Sequence, residues 1–217
     1  MPQVLAYSEE LDYHVVAIDY RGYGDSTPLS PTAAGLVDDA AVAYDWLLTQ
    51  LHGRRDRIVV WGHSLGTAVA TYLVARTDPI SQPGAVVLEA PFNSVADAVR
   101  NHPTAFLFSL HPLFEYFFVS PVVTHPETNF DTEAKIRHIH SHLLILHAED
   151  DMIVPFALGQ KLFRTAVDTR PAGAPRAQFV SFPASKKYGH KAIFKDAQLP
   201  EIISNFVRNS RQRSSQT

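Results

Sequence analysis

The chain has 217 residues, 46% of them hydrophobic and 19% charged, with a formal net charge of −3. That suits one ordinary soluble domain able to bury a sizeable core, and it lacks the basic surplus on which nucleic-acid binding depends. The absence of cysteine excludes disulfides and thiolate metal sites, and Met1-Pro2-Gln3-Val4-Leu5 shows neither the basic nor the apolar region of a secretory signal.

The first predicted element is Tyr13-His14-Val15-Val16-Ala17-Ile18-Asp19, a β-branched run continuous enough to be a buried strand. It passes into Asp19-Tyr20-Arg21-Gly22-Tyr23-Gly24-Asp25-Ser26, a loop punctuated by two glycines. Over 32–51 the apolar residues Leu36, Ala40, Tyr44, Leu47 and Leu51 recur at helical spacing, with Ser30-Pro31 as the start. Residues 58–61 predict a second strand, which ends in Gly62-His63-Ser64-Leu65-Gly66 and turns at once into an apolar helix over 67–74. Further strands are expected at 84–90, stopped by Pro91, at 142–147 and at 177–182. Helical patterns fill 155–168 and 197–208. Strands alternating with helices imply right-handed crossovers and a mostly parallel sheet, so the class is α/β. Residues 1–207 read as a single domain with a cap or lid insertion at 91–141, followed by a polar, basic tail at 208–217 expected to be disordered.

Strand, Gly-x-Ser-x-Gly, helix is the context of a nucleophile elbow. The serine sits there at positive φ, and close passage of the chain on both sides is expected to require glycine at 62 and at 66. Chemistry in parallel sheets gathers at the carboxyl ends of the strands. After the fourth strand comes Ala148-Glu149-Asp150-Asp151-Met152-Ile153-Val154-Pro155, and after the fifth Pro183-Ala184-Ser185-Lys186-Lys187-Tyr188-Gly189-His190. Ser64, Asp151 and His190 thus stand in the chain order Ser, Asp, His of α/β-hydrolases. His190 would be the general base and acid, and Asp151 would fix its tautomer. Glu89 is a second candidate acid, and Glu149 and Asp150 line the same loop. His63 reads as a packing residue. His138, His140 and His142 alternate without interleaved acids, which suits a solvated strand entrance better than a metal site.

Asp19-x-Arg-Gly-x-Gly-Asp-Ser26, Gly62-His-Ser-Leu-Gly-Thr67, Leu88-Glu-Ala-Pro-Phe92, Leu146-His-Ala-Glu-Asp-Asp-x-x-Val-Pro155 and Gly189-His-Lys191 together resemble the α/β-hydrolase family of membrane-anchored monoacylglycerol and lysophosphatidylserine lipases. The likeness runs from about residue 11 to 207. It puts nucleophile, acid and base on Ser64, Asp151 and His190, and the oxyanion donor on the N–H of Leu65. It implies hydrolysis of one acyl ester of a lysophospholipid or monoacylglycerol through an acyl-enzyme, with no metal or organic cofactor. It also implies a lipid substrate, a possible membrane surface and location at the endoplasmic reticulum membrane. The chain standing alone, without a signal or spanning segment of its own, is expected to be soluble and cytoplasmic. Oligomeric state is left open.

Within the insertion, Phe106, Phe108, Phe114, Tyr116, Phe117 and Phe118 form an aromatic cluster that suits either an acyl-chain roof or a packed helical pair. In the resembling family a strand ending in His-Gly precedes the segment that here begins at Met1, and the loop after it supplies a second oxyanion N–H. The N-terminal strands are therefore expected to be missing and the chain to be a shortened form. Two function classes follow: a serine esterase, or a member of the fold impaired for want of the oxyanion loop. A thioesterase or peptidase would use the same three residues.

Overall fold

In the computed structural model, which describes residues 13–97 and 130–214, four parallel strands run in the order β1-β2-β3-β4. They are β1 (Val59–His63), β2 (Ala85–Glu89), β3 (His142–Ala148) and β4 (Gln178–Phe182). The longer helices are α1 (Ala33–Gln50), α2 (Leu65–Arg76), α4 (Phe156–Thr169) and α5 (Leu199–Ser214), with a short α3 (Thr132–Ile136) before β3. Parallel neighbours need a crossover between them, and α2, α4 and the segment holding α3 provide it.

Side chains alternate across a strand, and the sheet uses both faces. Ala85, Val87, Leu144, Leu146, Ala148 and Phe182 point to the side covered by Leu199, Ile203, Phe206 and Val207 of α5. Val86, Leu88, Leu143 and Ile145 point to the other, against Ala70 and Val74 of α2, Ile136 of α3, and Leu162 and Ala166 of α4. The outcome is a three-layer sandwich. β2 and β3 are buried along their whole length, whereas β1 and β4, at the margins of the described sheet, are half-covered. Outside α2, α1 packs through Leu36, Val37 and Tyr44 against Ala68, Val69 and Leu73.

Caps fix the ends. Thr32 Oγ1 accepts from the Gly35 N–H at 3.0 Å and starts α1, one residue beyond the expected Ser30-Pro31. Asp131 caps α3 by accepting from the Ala134 N–H at 2.8 Å. Beside β3, the half-buried Arg170 guanidinium donates to the carbonyls of Ile139, Ser141 and Pro175, tying the end of α4 to the strand entrance.

Several expectations change. Residues 13–19 form no strand, and each is half-buried or exposed. Their β-branched composition is met by no hydrogen-bonded neighbour among the described residues, so the pattern remains a potential rather than an element. Helix α5 runs on to Ser214, so 208–214 are helical where a disordered tail is expected. His142 is buried at the start of β3, its ring T-shaped to that of Phe206 with centroids 6.4 Å apart, instead of solvated. The cluster Phe106, Phe108, Phe114, Tyr116, Phe117 and Phe118 lies outside the described residues. Among the described residues no helix is long and apolar enough to cross a membrane.

Candidate active site

β1 ends in a sharp turn onto α2, and Ser64 occupies that turn at φ 53°, ψ −120°. This is a strained conformation for a residue with a Cβ, and three contacts hold it. The Ser64 N–H donates to the Glu89 carbonyl at 2.9 Å. The Ser64 carbonyl accepts both the N–H and the hydroxyl of Thr67, at 2.9 and 2.6 Å. Gly62 leaves room for the returning chain, since a Cβ there would lie 2.2 Å from the Gly66 carbonyl oxygen and 2.7 Å from Thr67 N. Gly66 itself has open space where its Cβ would be, so the close approach demands glycine at 62 and not at 66. Leu65 begins α2 and is 44% exposed; its N–H is among the first-turn donors that a helix leaves without internal partners.

The loops after β3 and β4 are stitched to one another. Backbone pairing begins it, with the Glu149 N–H on the Phe182 carbonyl at 2.9 Å. Glu149 Oε2 accepts from the Ala184 N–H at 3.2 Å, and both Asp150 oxygens accept from the Gly189 N–H at 3.0 Å. These bonds set the backbone immediately before His190.

At the carboxyl edge of the sheet the structure brings together Ser64, Asp151 and His190. His190 Nε2 lies 2.9 Å from Ser64 Oγ, and His190 Nδ1 lies 2.8 Å from Asp151 Oδ2. The carboxylate is buried, and its other oxygen accepts the N–H groups of Ile153 and Val154, both at 2.9 Å. An acceptor carboxylate on Nδ1 puts a proton there and leaves Nε2 free to accept from the hydroxyl. Burial alone would raise the Asp151 carboxyl; the hydrogen bonds from His147, His190 and Val154 outweigh it and hold the group below the usual carboxylate range.

His63, expected to be mere packing, belongs to this cluster. Its Nε2 donates to the His190 backbone carbonyl at 2.8 Å, and the two rings lie 4.8 Å apart between centroids. Its place beside Ser64 in the sequence held no signal of that bond. Glu89, the second candidate acid, is instead buried beneath the site and accepts from Trp61 Nε1 at 3.1 Å. Burial raises its carboxyl, against the smaller opposing pull of His63, Trp61, His190 and His147.

A model of the alpha/beta hydrolase fold matches residues 2–118, more than half of the chain. The chain belongs to the alpha/beta hydrolase family. Among curated proteins it is similar to the lysophosphatidylserine lipase ABHD12 of Danio rerio, 39% identical over 207 residues, which covers 95% of this chain and 53% of that protein. It is also similar to ABHD12 of Bos taurus, 39% identical over 201 residues with 92% and 50% covered, and to the protein ABHD12B of Homo sapiens, 34% identical over 196 residues with 90% and 52% covered. The chain thus spans about half the length of the curated relatives it matches. Among solved structures, an esterase of Pyrococcus furiosus superposes with a TM-score of 0.69 at 17% identity, covering 96% of this chain and 74% of that one. At that identity the likeness speaks for the fold alone.

Proposed function

We propose that the chain is a serine hydrolase that cleaves the fatty-acyl ester of a lysophospholipid, lysophosphatidylserine first and monoacylglycerol second, through Ser64, His190 and Asp151. The observation that carries this reading is the unbroken line of hydrogen bonds from Ser64 Oγ through His190 to Asp151, built on a serine held at positive φ. The relatives named lysophosphatidylserine lipases support the substrate class.

The chemistry follows from the geometry. His190 Nε2 takes the proton of Ser64 Oγ as the oxygen attacks the ester carbonyl. The imidazolium is stabilised by the Asp151 carboxylate, which keeps its charge. Negative charge on the former carbonyl oxygen develops next to the start of α2, where the Leu65 N–H and the helix dipole favour it. Collapse of the tetrahedral intermediate expels the glycerol oxygen, which leaves with the proton from His190. Water, activated by the same imidazole, then releases the fatty acid and restores Ser64. Substrate contacts from Phe106, Phe108, Phe114, Phe117 and Phe118 form the acyl-chain part of the same proposal. The working surface would be that of a membrane holding the lipid, the endoplasmic reticulum by resemblance.

A fluorophosphonate probe tests the first step. Labelling of the wild-type chain that is lost in Ser64→Ala, with turnover of lysophosphatidylserine falling by about 10⁶-fold, is the expected result. A wild-type chain that stays unlabelled would overturn the enzyme and leave a non-catalytic member of the fold.

A further inference from the structure

One buried titratable side chain beside the site has no part in the steps above. His147 is fully buried in β3, in a run where Leu143, Leu144, Ile145 and Leu146 are equally buried and apolar. Among the described residues its Nδ1 has no hydrogen-bond partner. A buried polar atom left unpaired costs stability, so a leucine would serve the core better. Room for the ring requires a second local sacrifice. Gly159 lies inside α4, where glycine is less favourable than alanine, and a Cβ at that position would come 2.1 Å from His147 Nδ1. Phe156, one turn earlier, closes on the ring edge-on at 5.6 Å.

Both costs converge on one carboxylate. His147 Nε2 lies 2.9 Å from the Val154 carbonyl, and because a carbonyl only accepts, the proton is on Nε2. The same nitrogen is 3.4 Å from Asp151 Oδ2, the oxygen that receives His190 Nδ1. Val154 in turn donates its N–H to Asp151 Oδ1. Imidazole, loop backbone and carboxylate therefore form a closed ring that leaves Asp151 one orientation.

We propose that His147 is a positioning residue for the acid of the triad, its Nε2–H holding the Val154 carbonyl of the 151–154 loop and setting the ring 3.4 Å from Asp151 Oδ2, so that the carboxylate faces His190. The proposal rests on the triad assigned above. His147 touches neither substrate nor Ser64, and acts only through Asp151.

Two substitutions separate positioning from packing. His147→Phe keeps the ring volume and loses the donor, whereas His147→Gln keeps an N–H at the matching distance along the side chain. In the full chain, His147→Phe is expected to lower kcat by about 10- to 100-fold, the scale of a misaligned catalytic group, with KM within about twofold. His147→Gln is expected to recover most of that loss. NMR gives a readout independent of turnover. The low-field resonance of the proton on His190 Nδ1 should broaden or move in His147→Phe and stay in place in His147→Gln. Where His147→Phe fails to give a native near-UV circular dichroism spectrum, Gly159→Ala, which pushes the ring without removing it, should disturb the same resonance. An unchanged resonance in a folded His147→Phe, or a kcat equal to wild type with only a lower Tm, overturns the proposal. Absence of fluorophosphonate labelling in the wild-type chain, with the resonance responding as stated, would instead overturn the enzyme assignment and leave the positioning intact.

Discussion

At the scale of single residues, the clearest tension is Ser64. Its φ of 53° stores strain of about 1–3 kcal/mol for the sake of an accessible hydroxyl. Ser64→Gly removes the Cβ that makes the conformation costly, so its Tm is expected to rise by about 2–4 °C, the shift of roughly 1 kcal/mol in a chain of this size, while probe labelling disappears. Ser64→Ala should lose labelling without that gain, and differential scanning calorimetry of the two side by side checks the pair. His63 makes a different point. Its bond to the His190 carbonyl fixes the backbone of the proposed base, so His63→Leu should slow ester turnover by about tenfold and His63→Gln, which still donates from a terminal N–H, should restore it. That Ser64, Asp151 and His190 would meet was legible because each stands after a strand end, in a fixed chain order. His63 and His147 were not, because their partners are a backbone carbonyl 127 residues away and a loop whose conformation no spacing encodes.

Among the elements, the glycines of the β1–α2 turn separate what a motif names from what space requires. Gly62→Ala sets a Cβ into the Gly66 carbonyl and should leave little folded protein, whereas Gly66→Ala meets open space in a helix and should hold or raise stability, by at most about 1 kcal/mol. A thermal melt of each variant decides it. Thr32→Ala, which removes the cap of α1, should cost about 1 kcal/mol and about 2–4 °C in the same melt. Strands β2 and β3 could be read from sequence because both faces are covered, which shows as an unbroken apolar run. Residues 13–19 carry the same kind of run and form no strand. Composition records how well a segment would suit a buried sheet; whether a neighbour is there to bond it is a tertiary fact. The end of α5 was missed for the opposite reason, since its polar last turns look like a solvated tail and are carried by the amphipathic stretch before them.

For the whole molecule, acid should be the weak side. Asp39 is held below the usual carboxylate range mainly by its hydrogen bond from Arg21, and Asp56 by that from Arg54. Burial raises Asp151, and the bonds from His147 and His190 more than reverse it. A carboxyl depressed in the folded state lends stability above its unfolded value, about 4, and loses it as pH falls through the folded one. Tm is therefore expected to drop steadily below about pH 4. Glu89 has the other sign, since burial raises it and its contribution declines as pH climbs through the raised value. Glu89→Gln, which still accepts from Trp61, should gain Tm at pH 7 and not at pH 4. The sheet order carries one more consequence. Ser64 and His190 are separated by 126 residues and meet only after every parallel crossover between them has closed. During synthesis the Ser64 hydroxyl therefore emerges long before the imidazole it meets, and under the proposed function a ribosome-bound chain stalled short of residue 190 is expected to leave a fluorophosphonate probe unreacted.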